Sequence, residues 1–184
     1  YMVAYAHTIE QTLKECSKKY GNSIFIETGT FKGKTTEIAS KVFEHVYTIE
    51  LSEGLYKDAL EKFRYYPNVT CLQGDSGVVL SSLLADVKED VIFFLDAHWA
   101  GDLSARLERD CPVLEELSVI SRRNMTHKDL IIIDDISFFD KKGEFLYTNQ
   151  NSDYFPKGGL FQWDWTGIDM QKVLAFFPGK QVMI

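Results

Sequence analysis

Two uninterrupted apolar runs, Val91-Ile92-Phe93-Phe94-Leu95 and Leu130-Ile131-Ile132-Ile133, constrain this chain more than any other feature. A strand with one face in water alternates apolar and polar residues. A strand buried on both faces does not, and such burial is the mark of a parallel sheet covered by helices. Related runs occur at residues 24–27, 46–51 and 69–73, and a last one at 181–184. Helical patterning fills the spaces at 34–44, 54–64, 78–87, 112–123 and 167–177, with Pro112 suited to a first turn. Residues 1–20 read as a leading helix packed on the core. Alternating strand and helix predicts an α/β fold, a doubly wound and mostly parallel sheet of about six or seven strands with helices on both faces. Ligands then bind beyond the carboxyl ends of the strands, where strand order reverses.

At 184 residues the chain reads as one domain, with no repeat, low-complexity tract or linker. A net charge of −7 argues against broad, non-specific nucleic-acid binding, although a local basic patch would evade that argument. No apolar run nears the roughly 20 residues that span a bilayer, so no membrane partner is expected. Three cysteines, Cys16, Cys71 and Cys111, form no CxxC pair and point to a reducing compartment, the cytoplasm. The amino end lacks the pattern of a signal peptide. The chain begins at Tyr1 and stops at Ile184 inside an apolar run, as the ordered part of a longer protein would. His7, His45 and His127 have no visible partners. Nothing in the sequence encodes an oligomeric state.

The stretch from Ile24 to Thr36 joins a strand to a helix through Glu27-Thr28-Gly29-Thr30-Phe31-Lys32-Gly33. Glycine turns of this kind let a backbone approach a ligand closely. Read as Glu-x-Gly-x-x-x-Gly, the loop suggests S-adenosylmethionine (SAM). Read through Gly33-Lys34-Thr35 it resembles a phosphate-binding P-loop, but Thr28 stands where the first glycine is needed. Glu27 would also lie beside the triphosphate. Phe94-Leu95-Asp96 could imitate a magnesium-binding strand end, so a P-loop-like kinase or NTPase stays open as the alternative. An NAD site would need Gly-x-Gly-x-x-Gly, which is absent. SAM carries no phosphate, and its ammonium group would welcome Glu27. A non-catalytic SAM-binding module is the third reading.

Acids stand at successive strand ends: Glu27, Glu50, Asp96 and Asp134-Asp135, with Gly74-Asp75 after the third strand. Glu50 can accept both hydroxyls of an adenosine ribose. Asp75 can accept from the adenine amine, with the N–H of Ser76 facing a ring nitrogen. Either residue could equally cap the next helix.

Phe25-Ile26-Glu27-Thr28-Gly29-Thr30-Phe31-Lys32-Gly33, Thr48-Ile49-Glu50, Gln73-Gly74-Asp75 and Phe93-Phe94-Leu95-Asp96-Ala97-His98-Trp99 together resemble a class I SAM-dependent methyltransferase. The likeness covers roughly residues 20–135. It implies that Glu27, Gly29 and Gly33 line the methionine end of the cofactor. Glu50 would hold the ribose, Asp75 and Ser76 would meet the adenine, and Asp96 would lie near the methionine amino group and the acceptor. Thr28, Thr30 and Leu51 complete the expected cofactor-binding set. Leu95-Asp96-Ala97-His98-Trp99 with Ile133-Asp134-Asp135 is similar to metal-dependent O-methyltransferases of the catechol, macrocin and cephalosporin-hydroxylase-like types. That similarity implies a Mg²⁺ ion held by Asp96, Asp134 and Asp135, whose oxygens suit a hard cation. His98 would be a general base and Asp96 its catalytic neighbour. A turn cap explains Asp134 and Asp135 equally well.

A small-molecule acceptor methylated at oxygen or nitrogen is the expected substrate. Its pocket would come from two long loops, 98–111 and 137–165. The second is rich in aromatic residues and reads as structureless, with Phe161, Trp163 and Trp165 as a candidate lid. Asp102, Arg106, Glu108, Arg109 and Asp110 read as a solvated loop. Glu115-Glu116, at a helix start, is explained by the helix dipole.

Overall fold

The computed structural model describes residues 8–21, 23–99, 104–105, 108–123, 128–147 and 159–178. Five strands form one parallel sheet: β1 (Ile24–Thr28), β2 (His45–Glu50), β3 (Val69–Gln73), β4 (Val91–Leu95) and β5 (Leu130–Ile133). Their order is β3-β2-β1-β4-β5. Phe25 is in register with Val46 on one side and Ile92 on the other. Strand order therefore reverses between β1 and β4, which opens the crevice that doubly wound sheets use.

The alternation of side chains across β1 sorts the core into two layers. Phe25 faces Leu13 and Cys16 of α1 (Ile9–Tyr20) and Ala39 of α2 (Lys34–Ala39). Its ring stacks on Phe43 with centroids 5.1 Å apart. Ile26 faces the opposite layer, with Leu80 of α4 (Ser76–Asp86), Leu117 of α5 (Val113–Ile120) and Val173 of α6 (Met170–Ala175). The connection α3 (Glu53–Phe63) joins β2 to β3 and packs against both. Every side chain of β4 and β5 is buried, as their apolar runs require.

Caps explain several boundaries. Thr8 and Gln11 form a capping box on α1, and Gly21 closes it in the left-handed region at φ 70°. α2 is shorter than the expected 34–44, ending where the chain turns to bury Phe43. Four β-branched or short polar residues among its neighbours, Thr35, Thr36, Ile38 and Ser40, give it little helical preference of its own.

The expected structureless loop at 137–165 is a correction. Ile136–Phe138 forms a 3-10 turn, and β6 (Lys142–Tyr147) pairs antiparallel with β7 (Gly159–Asp164) as a separate two-stranded sheet. Phe161 and Trp163 alternate with Gln162 and Asp164, a period-2 pattern that marks a half-buried strand. The parallel sheet has five strands among the described residues, slightly below the expected count. The strand expected at 181–184 and the amino-terminal part of the leading helix, 1–7, lie outside the described residues.

Candidate functional site

A cavity of about 820 Å³ opens at the carboxyl ends of all five parallel strands. Gly29 follows β1, Ile49–Leu51 end β2, Gly74–Ser76 follow β3, Asp96–Trp99 follow β4, and Asp134 and Asp135 follow β5. Phe138, Phe161, Trp163 and Trp165 form a wall on the β5 side.

Glycine serves packing in the first turn. A Cβ on Gly29 would stand 2.3 Å from the Asp96 carbonyl oxygen, so only glycine lets β1 and β4 close at the switch point. A Cβ on Gly33 would meet the Phe63 ring at 2.7 Å. The N–H groups of this loop are largely spent within the protein. Gly29 donates to the Ile49 carbonyl (2.9 Å), Gly33 to the Thr30 carbonyl (2.8 Å) and Phe31 to Glu50 Oε2 (2.8 Å). A phosphate cradle needs such groups aimed outward together. The resemblance of Gly33-Lys34-Thr35 to a P-loop is therefore one of letters, and the kinase or NTPase alternative is not favoured.

The expected cofactor residues divide into two groups. Gly29, Glu50, Leu51, Asp75, Ser76 and Asp96 border the cavity. Glu50 is buried with both oxygens fixed: Oε2 by Phe31 and Oε1 by the Ser52 N–H (2.9 Å). Phe31 reaches it by adopting φ 47°, a left-handed conformation that a bulky residue rarely takes. Asp75 caps α4 through the Gly77 N–H (2.8 Å), so the capping role is real and leaves its second oxygen for other work.

Glu27, Thr28, Thr30 and Gly33 are buried and do not line the cavity. Glu27 sits one residue inside β1 rather than at its rim. Its Oε2 accepts from Thr36 Oγ1 and from Thr48 Oγ1 (2.6 Å). Burial pushes its carboxyl up to about 8, against those hydrogen bonds and with the charges of Asp96 and Glu50 adding to the rise. Thr30 and Thr48 hydroxyls meet at 2.6 Å.

On the other side of the switch point, His98 stands between two acids. Its Nδ1 lies 3.2 Å from Asp96 Oδ1, and its Nε2 lies 3.3 Å from Asp135 Oδ2. Burial alone would lower the imidazole. The hydrogen bond and charge of Asp96, then the charges of Asp135 and Asp134, outweigh it and raise His98. Burial raises Asp96 and Asp135, with His98 opposing the rise in both. Asp135 is held at φ 53°, a second strained residue at the cavity rim. The Trp165 indole packs edge-on to the imidazole at 5.4 Å.

Oxygen donors from Asp96, Asp134 and Asp135 are chemically right for Mg²⁺. Their arrangement departs from the expected ligand set. The imidazole occupies the space between Asp96 and Asp135, and the Asp134 Oδ1 accepts from the Asp135 N–H (2.9 Å). Among the described residues no group of three or more His, Cys, Asp or Glu converges as metal ligands would.

Sequence reasoning missed several contributors. Glu108 and Arg109 are exposed, as expected of a solvated loop, and also border the cavity, with Arg109 paired to Glu115. Asp110 is buried and its Oδ2 accepts from the Asp164 N–H (2.7 Å), which fastens the β6–β7 hairpin over the opening. Trp99 stacks on Phe161 of that hairpin at 4.8 Å. Glu116 is buried beneath the cavity floor. Asp102 and Arg106 lie outside the described residues. All three thiols are free, and burial drives Cys111 up to about 12 and Cys71 to about 11, so neither is a nucleophile at neutral pH. No described helix is long and apolar enough to cross a membrane.

No protein-family model matches the sequence, and no curated protein does. Solved structures match in fold. The O-methyltransferase TomG from Streptomyces achromogenes, involved in tomaymycin synthesis and solved with SAM, aligns with TM-score 0.57 at 11% identity over 87% of this chain and 80% of its own. The SAH-bound Podospora anserina methyltransferase PaMTH1 aligns with TM-score 0.54 at 13% identity over 72% of this chain and 54% of its own. The N-terminal domain of EvdMO1, with SAH bound, aligns with TM-score 0.52 at 12% identity over 93% and 70%. The chain covers 47% of a Bacillus cereus O-methyltransferase in complex with SAH, so it spans about half the length of some of the proteins it resembles. The architecture, the strand order and these likenesses agree: this chain has the Rossmann-like fold of the class I SAM-dependent methyltransferases.

Proposed function

We propose that the protein is a methyltransferase that moves the methyl group of SAM to an oxygen of a small-molecule acceptor. One observation carries the reading: the doubly fixed Glu50 carboxylate and the His98 imidazole face a single cavity from opposite sides of the switch point. With both Glu50 oxygens oriented by backbone N–H groups, their remaining lone pairs face the cavity as a preformed seat for the two ribose hydroxyls. The free oxygen of Asp75 and the N–H of Ser76 take the adenine. Asp96, close to Gly29 across the switch point, takes the methionine ammonium. The sulfonium then points toward His98 and the aromatic wall.

Transfer is an in-line displacement. The acceptor oxygen forms a bond to the methyl carbon as the carbon–sulfur bond breaks, and the electron pair returns to sulfur, leaving SAH. The neutral imidazole keeps its Nδ1–H on Asp96, and its deprotonated Nε2, turned from Asp135 to the acceptor, takes the acceptor proton. Most of the rate comes from alignment of oxygen, methyl carbon and sulfur at near-attack distance. Trp99, Phe161, Trp163 and Trp165 exclude water from the transfer and offer flat apolar faces to the acceptor.

Thermal unfolding with and without SAM tests the cofactor. The expected result is a raised Tm that Glu50→Ala removes. No shift with either SAM or SAH would sink the proposal. Activity that persists in EDTA is expected of His98 acting as base. Activity lost in EDTA and restored by Mg²⁺ would replace that role with a metal.

A further inference from the structure

The cavity has a floor as well as walls, and the floor carries a buried acid that the transfer chemistry does not use. The buried face of α5 is otherwise apolar, with Val113, Leu117 and Ile120, yet Glu116 on that face is only 1% exposed. Its Oε1 accepts from Ser76 Oγ at 2.5 Å, and the Thr28 hydroxyl lies near enough to favour its charged form. Thr28 Oγ1 in turn accepts from the Asp96 N–H at 3.3 Å. One side chain is thus tied to the end of β1, the start of α4 and, through Thr28, the end of β4. Burying a carboxyl group costs several kcal/mol unless partners recover it, and leucine would pack at such a position without that cost.

We infer that Glu116 is a positioning residue for the cofactor: it holds the Thr28 and Ser76 hydroxyls and thereby sets the spacing between the Gly29–Asp96 side of the cavity and the Asp75–Ser76 side. The inference rests on the methyltransferase reading, because SAM is the molecule that spans the two sides. It also accounts for the placement of Thr28 and Ser76. Their hydroxyls turn down to Glu116, so what they offer a ligand is backbone position. Burial raises Glu116 to about 7, against the Ser76 and Thr28 hydrogen bonds, and Asp75 on the β3–α4 turn and Glu115 on its own helix push the same way. Its charge also raises the Cys111 thiol, just before α5. Glutamine, of the same shape and with its own hydrogen-bonding oxygen and amide, is the conservative replacement.

Calorimetric titration of SAH into the whole protein at pH 7 tests this. Glu116→Gln should bind within about threefold of the unmodified protein, because its amide keeps a partner for each hydroxyl. Glu116→Leu, of similar size and without partners, should bind at least about tenfold more weakly while still unfolding cooperatively. Should Glu116→Leu fail to fold, Thr28→Val takes its place with the same expectation. Unchanged affinity in the folded apolar variant, or a Glu116→Gln as weak as Glu116→Leu, would overturn the positioning role alone. No binding by the unmodified protein would overturn the methyltransferase reading and this inference with it.

Discussion

The two halves of the cavity are built on different physical plans. On the β1–β2–β3 side, acids are immobilised by backbone N–H groups and threonine hydroxyls. Two N–H groups fix Glu50, the Gly77 N–H fixes Asp75, and threonine hydroxyls fix Glu27 below. On the β4–β5 side, acids are held by a titratable side chain. Asp96 and Asp135 face His98, and an aromatic hairpin closes over them. The first plan suits recognition of an invariant molecule, since preorganised acceptors lose little entropy on binding. The second suits proton transfer, which needs groups whose protonation can change near neutral pH. The lesson is that one sheet edge can carry a rigid receptor and a titrating centre side by side because the switch point separates them.

Substitutions should separate the halves, and the largest effect belongs to the titrating side. His98→Asn is expected to lower kcat by about 10²- to 10⁴-fold while the Kd for SAH changes little. A comparable loss in both quantities would merge the two halves. Glu50→Ala should weaken SAH about 100-fold or more, since two hydrogen bonds to a charged group are lost at roughly 1.5–3 kcal/mol each. Gly29→Ala tests the seam itself. The new Cβ would collide with the Asp96 carbonyl at a residue already at φ 83°, so a loss of about 2–4 kcal/mol in denaturant unfolding is expected, with SAH binding lost alongside.

Smaller effects concern protons. His98 is raised by its two acids, so kcat/KM should climb with pH through a value above the usual histidine figure of about 6.5. Asp135→Asn removes one of those charges and should move the limb down toward that figure; an unmoved limb would uncouple Asp135 from His98. Glu27 works in the opposite sense on stability. Its carboxyl titrates near 8 when folded, so the folded state holds the proton more tightly and stability falls as pH climbs from the ordinary carboxylate range toward 8. Glu27→Gln should flatten that decline, read as Tm at pH 5.5 and pH 8. The mildest expected change is Phe161→Ala, a few-fold rise in acceptor KM with SAH affinity intact.

How much of this was legible in the sequence follows the same division. The parallel sheet was readable because Val91–Leu95 and Leu130–Ile133 are apolar throughout, and few other structures bury every side chain of a strand. Glu50, Asp75, Asp96 and His98 could be placed at the cavity because each stands at or just beyond the end of such a run. Glu27 was misplaced by one residue: β1 extends to Thr28, so the acid faces α2 rather than the crevice. The hairpin carries a weak signal, the alternation of apolar and polar positions from Phe161 to Trp165, because Tyr147 and Gly159 are too far apart in sequence for a two-residue turn to mark it. Glu116 could not be found at all. The role inferred for it depends on Thr28 and Ser76, which come near it only once the ends of β1 and β3 meet α5, and no local pattern records that meeting.

A crystal structure of the protein with SAH shows directly whether the cavity seats the cofactor across the switch point. The ribose hydroxyls are expected on Glu50, the adenine beside Asp75 and the Ser76 N–H, and the sulfur on the His98 side of Gly29. Ligand density with its ribose away from Glu50, or a cavity that stays empty at saturating SAH, would contradict it.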